Sequence, residues 1–206
     1  MTSQGQVGPR YVSDGATTDL RLDRSSAQVI TDGHGRYVEA VYRGTIFTVS
    51  NTAAAALSNA STTATGLILS NPAGSGKNIF LLEVTFIQTS TAAASANAGI
   101  TLAANINPVA TVVTHTTPIT INPGLLGGTA ASIAKADSAA TLPAAPTIVR
   151  AIWQPSVSAT ATTGIPPFIK DDIGGAIAIS PGCTLSLSAL GAVSGIATFT
   201  WEELPI

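Results

Sequence analysis

The chain has 206 residues and a mass of 20.6 kDa, and only 20 of its residues are charged, for a formal net charge of −2. Without a basic excess, electrostatic binding to a nucleic-acid backbone is excluded, and no apolar run approaches the roughly 18 residues of a membrane-spanning helix. Leucine, isoleucine, valine and phenylalanine supply 52 residues, a share above the range that signals disorder. The length suits one folded domain with an arm.

The charges divide the chain into two parts. Residues 1–43 hold ten of the twenty charged side chains, whereas residues 84–134 hold none. We therefore predict a charged, extended N-terminal arm over 1–43 and a β-sandwich domain over 44–206. The first residues have neither the basic nor the apolar region of a signal peptide, so we expect synthesis in the cytoplasm without Sec export.

Alternating polarity predicts strands throughout the second part. Threonine, isoleucine and valine, which fit pleated surfaces, make up 60 of 206 residues. In chain order the predicted strands are 38–49, 66–70, 79–87, 97–105, 109–114, 118–121, 147–154, 175–180, 184–190 and 196–202. The alanine-rich stretches 53–60, 92–98 and 130–140 are expected to be loops, because polar residues and glycine interrupt them. The pattern predicts an all-β fold, an antiparallel β-sandwich or jelly roll.

Two of these segments carry more specific expectations. The strand 79–87 is predicted to be apolar on both faces, which indicates a central strand or a subunit interface. One face would hold Phe80, Leu82, Val84 and Phe86, and the other Ile79, Leu81 and Ile87. The segment 176–187 reads as strand, Pro-Gly turn and strand, the pattern of a hairpin.

A glycine-rich stretch at 74–78 partly matches a phosphate-binding P-loop. The motif needs a glycine five residues before its second glycine and a hydroxyl residue after the lysine. Those positions hold Asn71 and Asn78. We therefore predict a tight surface turn and no phosphate site.

The titratable residues do not form a recognisable catalytic or metal motif. His34 and His115 have no second histidine or cysteine at ligand spacing. The acidic pair 171–172 lies in a predicted loop, where a calcium site is the alternative to a solvated pair. Glu202 and Glu203 are neighbours on a strand and should point to opposite faces. We predict no catalytic residue, no metal and no cofactor.

Two tryptophans have both a structural and a functional interpretation, and the single cysteine has a structural one. Trp153 and Trp201 could stack on sugars, although a tryptophan in an alternating strand more often belongs to the core. Cys183, the single cysteine, has no partner for an intrachain disulfide and is interpreted as a small buried hydrophobe.

Three stretches resemble small β-rich virion structural proteins of tailed bacteriophages, of the head-decoration or tail-associated kind. They are TDGHGRYVEAVYRGTIF at 31–47, LSNPAGSGKN at 69–78 and WEELPI at 201–206, and they agree with these proteins in order and spacing. The resemblance covers roughly a sixth of the chain and implies a structural protein of the phage particle. Head decoration, or cement, proteins are often trimeric β-rich modules that clamp neighbouring capsomers. The resemblance itself identifies no binding residue.

The leading hypothesis is a capsid decoration protein that acts as a homotrimer on the virion, stabilising the head by bridging capsomers. Its partners would be its own copies and the major capsid protein or another virion protein, with no nucleic acid and no membrane. The alternative is a tail or baseplate protein that binds a host surface glycan. A small hydrolase is a third hypothesis, which a cluster of His, Asp and Glu would favour.

The arm is the predicted site of attachment. Arginine forms bidentate bonds with carboxylates and stacks on aromatic rings, which suits protein interfaces, and tyrosine adds apolar contact. The predicted assembly contacts are Arg21, Arg24, Arg36, Tyr37, Tyr42 and Arg43.

Overall fold

The computed structural model describes residues 35–89, 99–153, 168–191 and 193–206. A helix, α1, covers Val38–Tyr42, and twelve strands follow within the described ranges. They are β1 (Ile46–Ser50), β2 (Ala55–Leu57), β3 (Thr63–Ser70), β4 (Lys77–Gln88), β5 (Ile100–Asn105), β6 (Thr114–Ile119), β7 (Asn122–Pro123), β8 (Lys135–Thr141), β9 (Thr147–Trp153), β10 (Phe168–Ile179), β11 (Thr184–Ala189) and β12 (Val193–Pro205). The contacts divide the chain into Met1–Glu39 and Ala40–Ile206, and the second unit holds all of these strands.

Eight of the strands form a jelly roll. The first sheet has the order β10-β4-β12-β1 and the second the order β3-β11-β5-β9, with every pairing antiparallel. The chain changes sheets at almost every connection between these strands, as two interlocked Greek keys require. The predicted all-β sandwich is confirmed, and the strand order is that of the jelly roll.

Residues 106–146, between β5 and β9, form an addition to this eight-stranded core, which we call the insertion. Its strands β8 and β6 extend the second sheet beyond β3, and β7 extends the first sheet beyond β1. The insertion therefore widens both sheets on one side of the sandwich.

Aromatic side chains fill the centre of the core. Phe47, Phe86, Phe199 and Trp201 are each at most 1% exposed, and the rings of Phe47 and Trp201 have centroids 6.2 Å apart. The core interpretation of Trp201 is confirmed, while Trp153 is partly buried and packs against this core.

A second, smaller apolar cluster lies outside the main core. It joins β3 to the insertion, and its members are Ala64, Ile68, Val112, Val113, Ala140 and Leu142. Strand β11 is buried at every position, whereas in β1 and β12 buried residues mostly alternate with half-buried ones. The second sheet is therefore buried on both faces at its centre, whereas the outward-facing side chains of β1 and β12 in the first sheet are partly exposed.

A β-bulge explains why strand 79–87 is apolar on both sides. In the pairing of β4 with β12, Thr200 lies opposite Glu83 and Trp201 opposite Leu81, so Leu82 is an extra residue. One extra residue reverses the side-chain alternation, and Ile79 and Leu81 before the bulge share the buried face with Val84 and Phe86 after it. The strand is central, as predicted, but the assignment of Phe80 to the same face as Val84 was wrong.

The predicted strand at 38–49 begins as a helix. Gly44 has a φ of +69°, and its N–H donates to the carbonyl of Val41 while that of Thr45 donates to Ala40. This pair of bonds is the Schellman motif that ends a helix at a glycine. The strand starts only at Ile46.

Several other expectations need correction. The alanine-rich loops contain strands, β2 at 55–57 and β8 at 135–141, because pairing with β12 and β3 supplies the hydrogen bonds. Residues 109–113 form a loop, and 92–98 lies outside the described residues. Segment 176–187 is not a hairpin: at Pro181-Gly182 the chain passes from the first sheet to the second.

The glycine-rich stretch is the tight turn that was predicted. Gly74 and Gly76 have φ near +70°, the region that glycine adopts without strain. The buried Asn71 amide donates to the carbonyls of Lys77 and Ile179, and its oxygen accepts from Ser75 Oγ at 2.6 Å. The Asn71 side chain thus ties this turn to the start of β4 and the end of β10.

Candidate functional site

The structure describes four of the six predicted assembly contacts. Arg21 and Arg24 lie outside the described residues. The Arg36 guanidinium lies 5.0 Å from the centroid of the Tyr37 ring, within range of a cation–π interaction. The Arg36 guanidinium and the Tyr37 ring therefore lie side by side in this segment.

The other two predicted contacts lie at the end of α1. Tyr42 is the last residue of the helix and is 72% exposed, and Arg43 follows it on the surface. A tyrosine ring this exposed leaves a large apolar area in water, which is the property expected of a contact residue. The positions of Tyr42 and Arg43 are therefore compatible with the predicted role.

A loop of the insertion presents two further apolar side chains. In the leucine loop, residues 124–130, Leu125 is 42% and Leu126 is 82% exposed. A turn shapes its tip, where the N–H of Gly128 donates to the carbonyl of Leu125 and Gly127 has a φ of +83°. The loop thus holds its leucines outward in a defined turn.

Both flanks of the leucine loop are attached to the sandwich. On one side β7 pairs with β1, and the N–H of Gly124 donates to the carbonyl of Ile46 at 2.7 Å. On the other side Ala130 packs so closely against Gly44 that a Cβ added at Gly44 would lie 2.9 Å from the Cβ of Ala130. Contacts on both sides limit the freedom of the loop and favour a preformed surface.

A buried carboxylate anchors the chain just beyond the loop. Glu203, on β12, is 1% exposed and accepts hydrogen bonds from Ser132 Oγ at 2.5 Å, the N–H of Ile133 at 3.2 Å and Trp201 Nε1 at 3.3 Å. Lys77 adds an ion pair at 3.4 Å. The prediction that Glu202 and Glu203 point to opposite faces is confirmed, since the half-buried Glu202 contacts Thr45 instead.

A second exposed apolar patch lies on the outer face of the first sheet. Phe168 on β10, Ile87 on β4 and Ile196 on β12 are neighbours in register across three strands. Phe168 is 63% and Ile87 45% exposed, and Ile196 is half-buried. We call these residues the Phe168 row.

The acidic pair belongs to strand β10 and not to the predicted loop. Asp171 accepts two hydrogen bonds from Arg150 on β9, at 2.8 and 3.0 Å. The hydrogen bond and the charge of Asp171 raise the pKa of Arg150. Two edge strands, one from each sheet, are thereby joined, and no group of three His, Cys, Asp or Glu able to hold a metal occurs among the described residues.

His115 has a partner that its sequence surroundings did not indicate. Its Nδ1 lies 2.6 Å from Oδ2 of Asp137, whose side chain is fully buried, while the His115 side chain is 40% exposed. Oδ1 of Asp137 is buried without a hydrogen-bond partner. The pair links edge strand β6 to β8 and can orient the imidazole. His34 lies outside the described residues.

Sequence reasoning missed Leu125, Leu126 and the contacts of Glu203. The leucines had a usable signal, two large apolar side chains between Pro123-Gly124 and Gly127-Gly128 in an uncharged stretch. Glu203 had none, because its partner Ser132 is 71 residues away in the chain.

No helix in the described part of the chain is long and apolar enough to cross a membrane. No protein-family profile, curated protein or solved structure matches this chain.

Proposed function

We propose that the protein is a structural component of a tailed-phage virion, a capsid decoration protein that forms a homotrimer and stabilises the head by bridging capsomers. The observation that carries this proposal is the presentation of large apolar side chains on the surface of a double-sheet body. Leu126, Tyr42 and Phe168 are 82%, 72% and 63% exposed. Exposed apolar patches on soluble proteins mark contact surfaces.

Each part of the chain has a role in this proposal. The jelly roll is the rigid body that packs against its own copies, and the arm lies across the major capsid protein through Arg21, Arg24, Arg36 and Arg43, with Tyr37 and Tyr42 in apolar contact. Binding only to the assembled shell stabilises that shell by mass action, by about 2.7 kcal/mol per site at a free concentration one hundred times Kd. The protein is made in the host cytoplasm and ends in the virion.

Attachment to purified phage heads that lack this protein tests the proposal. The full chain should cosediment with heads, and a variant without residues 1–30 should fold but remain in the supernatant. Replacing Arg21 and Arg24 by lysine keeps the charge but removes the planar fork and should weaken attachment, while Arg150→Lys on the body is the matched control. Undiminished attachment of the truncated chain would show that the arm is not the anchor.

The alternative is a tail or baseplate protein that binds a host surface glycan. Exposed aromatic rings favour it, because sugars stack on them, and Tyr42 and Phe168 are such rings. Trp201 does not add to this surface, since it is fully buried. Binding of the full chain to host cells but not to heads would select this function.

A further inference from the structure

We infer that copies of this chain associate head to tail, with the leucine loop of one copy seated on the Phe168 row of the next. The inference rests on the self-association proposed above and specifies its contact surfaces. Its basis is that one chain carries two different exposed apolar patches, each held in place by the sandwich.

The two patches lie at opposite ends of the sandwich. The leucine loop begins at Gly124, whose N–H donates to the carbonyl of Ile46 at the start of β1, and Glu203, near the end of β12, lies at the same end. The Phe168 row includes Ile196, near the start of β12. Seven residues of extended strand separate Ile196 from Glu203, roughly 23 Å at about 3.3 Å per residue. The patches cannot cover each other within one chain, but they can meet between copies.

The shapes of the patches favour a contact between unlike surfaces. The leucine loop presents its two exposed leucines at a single turn, whereas the Phe168 row lies across three adjacent strands. A contact of loop against loop would bury little area, and a contact of row against row would leave both loops exposed. Loop on row buries both patches in a single contact.

Charge does not oppose this contact. Residues 121–134, which include the whole leucine loop, carry no charged side chain. Next to the Phe168 row, Lys170 pairs with Glu83 at 2.6 Å, and the adjoining register positions are Thr85 and Thr198. An uncharged loop therefore meets a surface of apolar and small polar side chains, with the nearest basic and acidic groups already paired.

A contact between unlike surfaces leaves one loop and one row free until the assembly closes. If the contacts close into a ring, every leucine loop is seated on a Phe168 row, whereas contacts that do not close give a filament. The homotrimer proposed above is the smallest closed assembly larger than a dimer in which every loop and every row is buried. Each copy would then seat its leucine loop on one neighbour and bind the leucine loop of the other neighbour on its own Phe168 row.

The first experiment measures the mass of the full-length protein in solution at micromolar concentration. The wild type should sediment as a closed oligomer, and Leu126→Glu or Phe168→Glu should each weaken self-association at least about tenfold, as loss of a central apolar anchor does. Ile106→Glu is the control, since Ile106 is 60% exposed but belongs to neither patch. Circular dichroism checks that each variant is folded.

Mixing the two variants gives the decisive result. Leu126→Glu keeps an intact row and Phe168→Glu keeps an intact loop, so equal amounts should combine into heterodimers that cannot close. A chain carrying Leu126→Lys together with Phe168→Glu should recover the oligomer through the new ion pair. A contact of loop with loop or of row with row predicts neither the heterodimer nor the recovered oligomer.

Three outcomes would overturn the inference: a monomeric wild type, unchanged association of both glutamate variants, or a mixture that remains monomeric. The proposed function fails separately, in the head-attachment assay. An oligomer that does not bind heads contradicts the function, while a protein that binds heads only as a monomer contradicts the head-to-tail contact.

Discussion

Removing the buried carboxylate of Glu203 should destabilise the fold far more than removing its neighbour Glu202. In Glu203→Ala, the donors Ser132 Oγ, the Ile133 N–H and Trp201 Nε1 lose their common acceptor. A buried donor without a partner costs about 1–3 kcal/mol. Lys77, whose side chain is 37% exposed, turns to water and contributes at most about 1 kcal/mol.

Relaxation and entering water reduce the sum of these penalties. Breaking a buried, hydrogen-bonded charge site by removing one partner typically costs about 3–5 kcal/mol, and we expect a loss in that range for Glu203→Ala. Glu203→Gln keeps the shape and one acceptor oxygen, so its expected loss is about 1–2 kcal/mol. Glu202→Ala removes a half-buried carboxylate that accepts one bond, from Thr45 at 3.0 Å, and should cost less than about 1 kcal/mol.

Urea unfolding of the three purified variants measures these free energies. Protease cleavage within the leucine loop is the second measurement, because the contacts of Glu203 with Ser132 and Ile133 hold the chain directly after that loop. Cleavage should be faster in Glu203→Ala than in Glu202→Ala. Equal unfolding free energies for the two alanine variants, within about 0.5 kcal/mol, would refute the reasoning, since they would mean that Glu203 anchors nothing.

Two further predictions follow from burial. Gly195→Ala should cost at least about 3 kcal/mol in urea unfolding, because the new Cβ would overlap the carbonyl oxygen of Ile87 and the ring of Phe86. The control Gly76→Ala, with a φ of +70° but open space, should cost about 1–2 kcal/mol, and a smaller loss for Gly195→Ala than for this control would contradict the packing at β12. Burial raises the pKa of the Cys183 thiol, so iodoacetamide should alkylate it slowly in the native protein near pH 8 and quickly in urea, as measured by mass spectrometry. Because the folded-state pKa is raised, burial of the neutral thiol stabilises the fold fully below the ordinary cysteine pKa of about 8.5. This stabilisation is lost as the pH rises through the folded-state pKa. Equal alkylation rates with and without urea would show that the thiol is not protected.

Local patterns in the sequence were sufficient to predict most of the strands and some of the turns. Alternation between Phe199, Trp201 and the threonines around them shows which side chains face the core, because strand side chains point to opposite faces in turn. The turn at 74–76 follows from its glycines, which adopt positive φ without strain. The low charge of the body and the charged first part are also properties of composition alone.

The sequence could not predict where this alternation fails. The extra residue Leu82 in β4 exchanges the two faces of the strand, and nothing in the local pattern distinguishes a bulge from a strand that is apolar on both sides. The short helix α1 was taken for a strand because Val38, Val41 and Tyr42 belong to the residue types that are enriched in strands. Its glycine-terminated cap at Gly44 was the signal for the helix.

Fold class therefore came from the sequence, while sheet order and the candidate surfaces depended on the tertiary structure. Period-two polarity is a local property, and it determines that the chain forms half-buried strands that must pack as two layers. The surfaces depend on pairings between distant residues, such as Glu203 with Ser132, His115 with Asp137, and Phe168 with Ile87. Only the folded chain brings these residues together, because each contact depends on which strands become neighbours and in which register.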